Sequence, residues 1–251
     1  MKISVVIITK NEEKNIARCL ESVKWVNEIV IIDSQSEDRT LEIASKYNAK
    51  IYSPPWIGYG PAKKEGVNKA SNDWIFSIDA DEEVTDKLKN EINSVLSNHD
   101  NKTYGYFVPR LTNFLGRWIK HSGWYPDYVL RLFNKQFGNF NDAVIHESVQ
   151  LSGSTTYLKC DLLHYSYPDL DEYFRKFNLY TTVGAEELFK KGKKSGFVSI
   201  CLRPIVAFIK QYFVKLGFLD GMEGFLVCYF SAKAVMVKYA KLRTMNKRAK
   251  S

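Results

Sequence analysis

The sequence predicts an α/β fold built on a mostly parallel, Rossmann-like sheet flanked by helices. Three observations carry that expectation. Short β-rich runs alternate with stretches of helical periodicity through the first hundred residues. Two of the runs, Lys2–Thr9 and Trp74–Ile78, are apolar without alternation, as strands covered on both faces are. Three of the runs stop abruptly at polar or acidic residues, the pattern expected of loops at the carboxyl edge of a parallel sheet.

In order, Lys2–Thr9 carries Ile3, Val5, Val6, Ile7 and Ile8 and is a central strand. Asn11-Glu12-Glu13 opens a helix with Ile16, Ala17, Leu20 and Val23 at helical spacing. Glu28–Ile32 is the second strand and ends in Asp33. Ser34–Asp38 is a polar turn leading into a helix that extends to about Tyr47. Lys50–Ser53 is a short strand before Pro54-Pro55, Pro61–Ala70 a helix, and Trp74–Ile78 the fourth strand. A helix from Asp86 ends near Ser97, and Tyr104–Val108 and Val129–Phe133 are further strands. Leu170–Lys191 is helical and mixed in polarity.

Composition narrows the class. With 45% hydrophobic and 14% aromatic residues in 251, the chain has enough apolar side chain for one large α/β domain, or one domain with an appendage. Cys19, Cys160, Cys201 and Cys228 lack any CxxC spacing, so neither disulfides nor zinc is implied and a reducing, cytoplasmic setting is expected. Ile3–Ile8 is too short for a signal-peptide core. The net charge of +8 is unevenly placed: residues 190–251 sum to +12 and residues 1–189 to −4. The positive charge therefore belongs to a C-terminal segment and points to a polyanionic surface. Lys247-Arg248-Ala249-Lys250 has no interleaved aromatics, which argues against nucleic acid.

The chemical centre is Trp74–Val84, WIFSIDADEEV. Asp79 and Asp81, two apart across small Ala80, converge on one divalent cation if the backbone turns between them. Hard oxygen ligands of this kind suit Mg²⁺ or Mn²⁺, which usually also hold substrate phosphates. A surface acidic turn capping the helix from Asp86 would give the same letters. The other strand ends, Thr9-Lys10-Asn11-Glu12 and Asp33-Ser34-Gln35-Ser36, share the same sheet edge and favour the ligand reading. There is no GxGxxG and no GxxxxGK[ST].

Residues 1–100 resemble a family 2 glycosyltransferase of the GT-A fold. The resemblance rests on VVIITKNEE (Val5–Glu13), IVIIDSQSEDRT (Ile29–Thr40) and IDADEEV (Ile78–Val84), in order and at this spacing. It implies that Thr9, Glu12 and Asp33 hold the nucleoside of a nucleotide sugar, with Asn11 in the same loop. It also implies that Asp79 and Asp81 serve the nucleotide and its metal, Asp81 more directly. Where many relatives carry an Arg-Asn pair before the glycine, this chain has Lys63-Lys64-Glu65-Gly66. Lys63 is then either a point charge near phosphate or a solvated side chain.

In the second half, Trp124 and Tyr125 are candidates for a sugar platform, and Trp118 for the core. Arg131, inside an apolar run, needs an anionic partner: a diphosphate or an acidic side chain. The stretch Gly123–Glu147, with Leu163-His164-Tyr165 beyond, resembles lipopolysaccharide-core β-glucosyltransferases of the same family. That resemblance implies a carboxylate here as the base on the acceptor hydroxyl: Glu147 first, Asp127 second, Asp142 third. His146 is a candidate to complete the metal shell or orient the diphosphate. Glu82 and Glu83 read as helix-start charges.

The expected reaction is a metal-assisted single displacement with inversion; glucose from UDP-glucose as donor and a lipopolysaccharide core saccharide or related glycolipid as acceptor are what the resemblance implies. A polyprenyl-phosphate acceptor is the alternative within transferases, and a DxD metal-dependent phosphatase is the alternative of another class. The expected organisation is a catalytic domain over 1–189, with a nucleotide-sugar half (1–100) and an acceptor half (101–189). A basic amphipathic helical tail follows over 190–251. Within it Ile205, Phe208, Ile209, Tyr212, Phe213 and Leu216 share one helical face, with Arg203, Lys210 and Lys215 opposite. Residues 197–251 are therefore expected to lie on the anionic inner face of the bacterial inner membrane, or to pack as two helices on each other or on the domain.

Overall fold

Nothing polar interrupts the buried length of the first strand except Ser4 and the terminal Thr9, so it can only be a strand covered on both sides. In the computed structural model, which describes residues 1–100, 102–143 and 147–249, the elements of the first hundred residues are β1 (Ile3–Thr9), α1 (Ile16–Val23), β2 (Glu28–Asp33), α2 (Thr40–Ala44), β3 (Ala49–Tyr52), α3 (Tyr59–Lys69), β4 (Trp74–Asp79), β5 (Glu82–Val84) and α4 (Asp86–Ser97). There follow β6 (Thr103–Phe114), β7 (Arg117–Trp118), β8 (Asp127–Asn134), β9 (Gly138–Phe140), β10 (Val149–Leu151), β11 (Ser154–Tyr157) and β12 (Leu162–Tyr167). The C-terminal helices are α5 (Leu170–Lys190), α6 (Arg203–Ile209) and α7 (Gly221–Arg248).

The principal sheet runs β3-β2-β1-β4-β8-β6-β12-β5. β1, β2, β3 and β4 are parallel, and β8 joins antiparallel to β4. This is the α/β, GT-A-type sheet expected, with helices on its faces. Its register sets the site, because Thr9 lies opposite Asp33 and Ile8 opposite Asp79, so three strands end together at one edge.

The chain divides into two units. The first holds residues 1–110 and 127–164; the second holds 111–126 and the chain from Tyr165 onward. In the first unit, one apolar layer packs α1 and α4 on the sheet through Ile16, Leu20, Leu88 and Ile92. The other layer packs α3 through Ala62 and Val67. Gly66 allows α3 to lie flat on the sheet: a Cβ there would collide with the Val6 side chain.

In the second unit, Phe114, Ile119, Tyr173 and Val227 form a separate apolar cluster, with Trp124 and Tyr167 against it. Buried Asp220, just before α7, accepts from the Lys120 and His121 amides and lies 2.9 Å from His121 Nδ1. Cys228 is buried about two turns further on, and burial, reinforced by Asp220, pushes its thiol up to about 11. Helix α5, grouped by sequence with the acceptor half, belongs here with α7.

Two local expectations are corrected. The helix expected from Asn11 begins at Ile16, because Asn11 takes a left-handed conformation (φ 54°) and residues 12–15 form a turn. The helix expected to reach Tyr47 stops at Ala44. The helix expected over 197–216 runs without a break from Phe197 to Val214, with α6 flanked by two wide π-helical turns, Val198–Leu202 and Lys210–Val214. Pro204 at the start of α6 has no N–H to offer, which loosens the turn before it.

Candidate active site

At the edge where β1, β2 and β4 end, the first two loops are laced together. Asn11 N–H donates to Ser36 Oγ (2.9 Å), and its Oδ1 accepts from Glu37 N–H (2.9 Å). Glu12 N–H donates to Thr40 Oγ1 (2.8 Å), while its carboxylate accepts from Asn15 Nδ2 (2.8 Å). Asp33 is fully buried and accepts from the Ser36 amide (2.9 Å) and hydroxyl (2.5 Å). Thr9 is buried beside it, and its hydroxyl has no hydrogen-bond partner among the described residues. A buried hydroxyl without a partner is costly to keep and marks a place where a ligand group is accommodated. A cavity of about 20 Å³ lies next to Asp33 and Ser34, walled by Pro54, Pro55, Trp56 and Pro61. A wider cleft, about 650 Å³, lies at the opposite edge, around Lys2, Asn72, Trp74 and His99. It contains none of the charged side chains of the site.

Beyond the loops, seven charges alternate in sign along one connected path. Glu147 Oε1 meets Lys63 Nζ at 2.7 Å, and Lys63 Nζ meets Asp79 Oδ1 at 2.9 Å. Asp79 Oδ2 accepts from Arg131 at 2.7 Å, and Arg131 donates to Glu82 Oε1 at 2.6 Å. Arg110 lies 3.6 Å from Glu82 and 2.5 Å from Asp127. The sheet puts these groups in place: β6 and β8 are antiparallel with Arg110 opposite Asp127. Lys63 and Arg131 are each 3% exposed and Glu82 is fully buried, so the middle of the path is dry. Burial disfavours the ionised form of Asp79, but Arg131 and Lys63 overcome it and hold its carboxyl well below the usual carboxylate range. Arg131 is held charged in the same way, against burial, by Asp79 and Glu82.

The turn between the two aspartates is fixed from inside. Glu82 Oε2 accepts from the Asp79 amide at 2.8 Å. Cys19 Sγ, also buried, lies 3.6 Å from the Asp79 carbonyl; burial, then the charges of Glu82, Asp81 and Asp79, raise its thiol well above the ordinary range. The two aspartates consequently face different groups. Asp79 faces Lys63 and Arg131, whereas Asp81 Oδ2 stands 3.2 Å from His164 Nε2. His164 arrives through β12, which pairs antiparallel with β5 and sets His164 opposite Glu82.

Several expectations change accordingly. Glu82 is not a helix-start charge: α4 begins at Asp86, Thr85 caps it by accepting from the Leu88 amide, and Glu82 points into the sheet. Lys63 is not solvated; it joins two carboxylates. The anionic partners of Arg131 are the acidic side chains Asp79 and Glu82. Of the two aspartates expected to serve a metal, Asp79 meets two fixed cations and Asp81 stands beside His164. His146 lies outside the described residues.

Glu147 and Asp127, the first two of the three candidates for the base, sit at opposite ends of the charge path, Glu147 the more enclosed (19% against 43% side-chain exposure). Asp142 is exposed and pairs with Lys64. The loop carrying it is seated on the first turn of α3, where Gly60 N–H donates to the Ala143 carbonyl (3.0 Å) and a Cβ would strike the Asn141 carbonyl. Trp124 and Tyr125 belong to the second unit. The Trp124 ring is half-buried, its centroid 6.0 Å from that of Phe114 and 5.7 Å from that of Tyr167.

Sequence reasoning missed His164 and the inward turn of Glu82. The only signal for His164 was its place in the stretch that resembles the core glycosyltransferases.

Over its full length the chain is 33% identical to an uncharacterized glycosyltransferase of Rickettsia typhi, covering 89% of that protein. It is 28% identical, over 96% of its length and 94% of the relative, to the lipopolysaccharide core biosynthesis glycosyltransferase LpsC of Rhizobium meliloti. Among solved structures it aligns with residues 1–349 of S. aureus TarS in complex with UDP, at 15% identity and a TM-score of 0.48, covering 99% of this chain and 92% of that one. Residues 4–152, which span nearly all of the β1–β10 framework just described, match glycosyl transferase family 2, and the chain belongs to that family.

Proposed function

We propose that the protein is an inverting hexosyltransferase that moves glucose from UDP-glucose to a saccharide of the lipopolysaccharide core. Family membership supports glycosyl transfer and displaces the phosphatase alternative. Similarity to LpsC along nearly the whole chain supports the acceptor class. The observation that carries the mechanism is the alternating charge path, which ends in Glu147 on one side of Asp79 and places two buried cations next to it.

In this reading Thr9, Asn11, Glu12 and Asp33 receive the nucleoside, the unsatisfied Thr9 hydroxyl taking one of its polar groups. Lys63 and Arg131 present fixed positive charge to the diphosphate, in a setting dry enough for that charge to count. Asp81 and His164 fit a divalent cation: a carboxylate and an imidazole face each other at 3.2 Å, the other ring nitrogen being buried without a hydrogen-bond partner among the described residues. That mixed oxygen and nitrogen set accepts Mn²⁺ readily and Mg²⁺ less so, substrate oxygens filling the other positions. Such an ion, when bound, supplies neutralising charge to the departing diphosphate.

Glu147 takes the proton of the acceptor hydroxyl as its oxygen bonds to the anomeric carbon. The bond from that carbon to the diphosphate oxygen breaks on the opposite face, and the electron pair leaves with the nucleoside diphosphate. Lys63 connects the two events. Its single ammonium is shared between Asp79 and Glu147, and a phosphate oxygen that takes part of it loosens Glu147 for proton transfer.

The test is Glu147→Gln beside Asp127→Asn, assayed for transfer from UDP-glucose to a core saccharide. Glu147→Gln is expected to lower kcat by about 10²–10⁴ with little change in donor KM, as loss of a general base does. Loss of less than about tenfold in Glu147→Gln, with a larger loss in Asp127→Asn, would move the base to the other end of the path.

A further inference from the structure

We propose that the outer face of the 197–219 segment seats the protein on an anionic lipid bilayer, lying flat in the interface. The segment carries apolar side chains on two sides, and only one side is used within the second unit. Inwardly, Phe208 and Tyr212 stack on each other with centroids 5.3 Å apart, and both meet Phe225 of α7 at 5.9 Å. Outwardly, Leu202, Ile205, Val206, Ile209, Phe213 and Val214 remain 47–68% exposed. Their spacing keeps them on one side through α6 and the two wide turns that flank it. Phe197 extends the stripe at 71% exposure. A contiguous apolar surface of this kind marks an interaction site, whereas scattered exposed residues would not.

Charge selects the occupant. Residues 190–219 hold seven Lys or Arg and no acidic residue. Four of them, Lys190, Lys191, Lys193 and Lys194, are exposed immediately before the stripe, and Lys210 and Lys215 are exposed within it. A second copy meeting this face two-fold would bring the same positive charges against their own kind. A bilayer carrying acidic headgroups accepts both the apolar side chains and the lysines. No helix among the described residues is long and apolar enough to cross a membrane. From Leu202 to Val214 the stripe is about 20 Å long, short of the roughly 30 Å hydrocarbon core, which again fits lying in the interface.

This surface is independent of the donor, acceptor and base assignments, so the two readings fail separately. The test uses the full chain with phosphatidylglycerol–phosphatidylethanolamine vesicles, and phosphatidylcholine vesicles as the neutral reference. Co-sedimentation is expected with the anionic vesicles and much less with the neutral ones. Combining Ile205→Glu, Ile209→Glu and Phe213→Glu should weaken binding at least about tenfold. Lys193→Gln and Lys194→Gln should each cost roughly fivefold. Phe213→Trp gives a second readout that does not depend on the triple variant folding: its emission should shift to the blue on adding anionic vesicles and stay unchanged with neutral ones. Absence of sedimentation, equal binding by the folded triple variant, or no blue shift overturns the proposal. So does a wild-type dimer in sedimentation equilibrium that the triple variant abolishes, since the face would then be an interface between copies.

Discussion

The carboxyl edge of the first unit and the 197–219 segment of the second depart from ordinary burial in opposite directions. At the edge, Lys63, Arg131 and Glu82 are charged and buried; along the segment, Ile205, Val206 and Val214 are apolar and more than half exposed. Both departures cost free energy in an isolated chain, and both are more informative than any properly buried leucine. The difference lies in how each cost is met. The charges at the edge are met inside the protein, each by an opposite charge within about one hydrogen-bond length along most of the path. The exposed stripe has no such internal answer, and its counterpart lies outside the chain. Buried charges paired within the chain belong to a site held rigid before its ligand arrives; an apolar stripe left uncovered belongs to a surface that docks.

The comparison breaks first at Arg131. Arg131→Met leaves Glu82 and Asp79 buried with less positive charge, and should cost about 3–5 kcal/mol of stability, read as a shift in the urea midpoint. A loss under about 1 kcal/mol would mean that solvent reaches the path and that the charges are not buried as described.

Acid is the next lever. Arg131 and Lys63 hold the Asp79 carboxyl well below the usual carboxylate range, and Glu28, which accepts from Lys50, Ser4 and Ser71, is lowered to about 2. Groups with depressed pKa values contribute their stabilisation above the unfolded-state pKa and lose it as pH falls toward the folded one. Stability should therefore hold above about pH 4.5 and fall steadily from there toward pH 2. Urea melts at successive pH values check this, and Glu28→Gln should flatten the slope. An unchanged slope in that variant would remove Glu28 from the account.

The smallest effect is expected on the stripe. Ile209→Ser exposes nothing new and should change stability by no more than about 0.5 kcal/mol, measured in the same melts. A loss of 2 kcal/mol or more, a core-sized value, would show that the face is covered in solution.

Much of the first unit was legible because its signals are local. Apolar runs without alternation gave β1 and β4, and the shared edge followed from strands that all end in polar residues. What escaped depends on distant register. His164 reaches Asp81 only because β12 pairs with a three-residue strand some eighty positions earlier, and so short a strand has no periodicity to detect. Glu82 and Glu83 look alike as letters, yet alternation along β5 sends one into the core and leaves the other partly exposed. Lys63 was ambiguous because the buried side of α3 is made of Gly60, Ala62, Gly66 and Val67, too small and too weakly apolar to announce itself. In the tail the amphipathic face was read correctly as apolar but as single. Only the packing of Phe208 and Tyr212 on Phe225 divides it into an inner and an outer side.

The buried cysteines give each unit its own clock. Cys19 lies beneath the Asp79 turn and Cys228 lies in α7, both inaccessible and both with thiols held largely protonated. A thiol reagent reaches either one only during an opening that exposes it, while exposed Cys201 reacts at once and marks the intrinsic rate. The ratio of each slow rate to that of Cys201 reports how often the catalytic edge, or the start of the long C-terminal helix, comes apart. Ligands that tighten the edge should slow the Cys19 reaction alone, whereas lipid seated on the stripe should act on Cys228. One thiol reagent thereby times two openings in one unmodified chain.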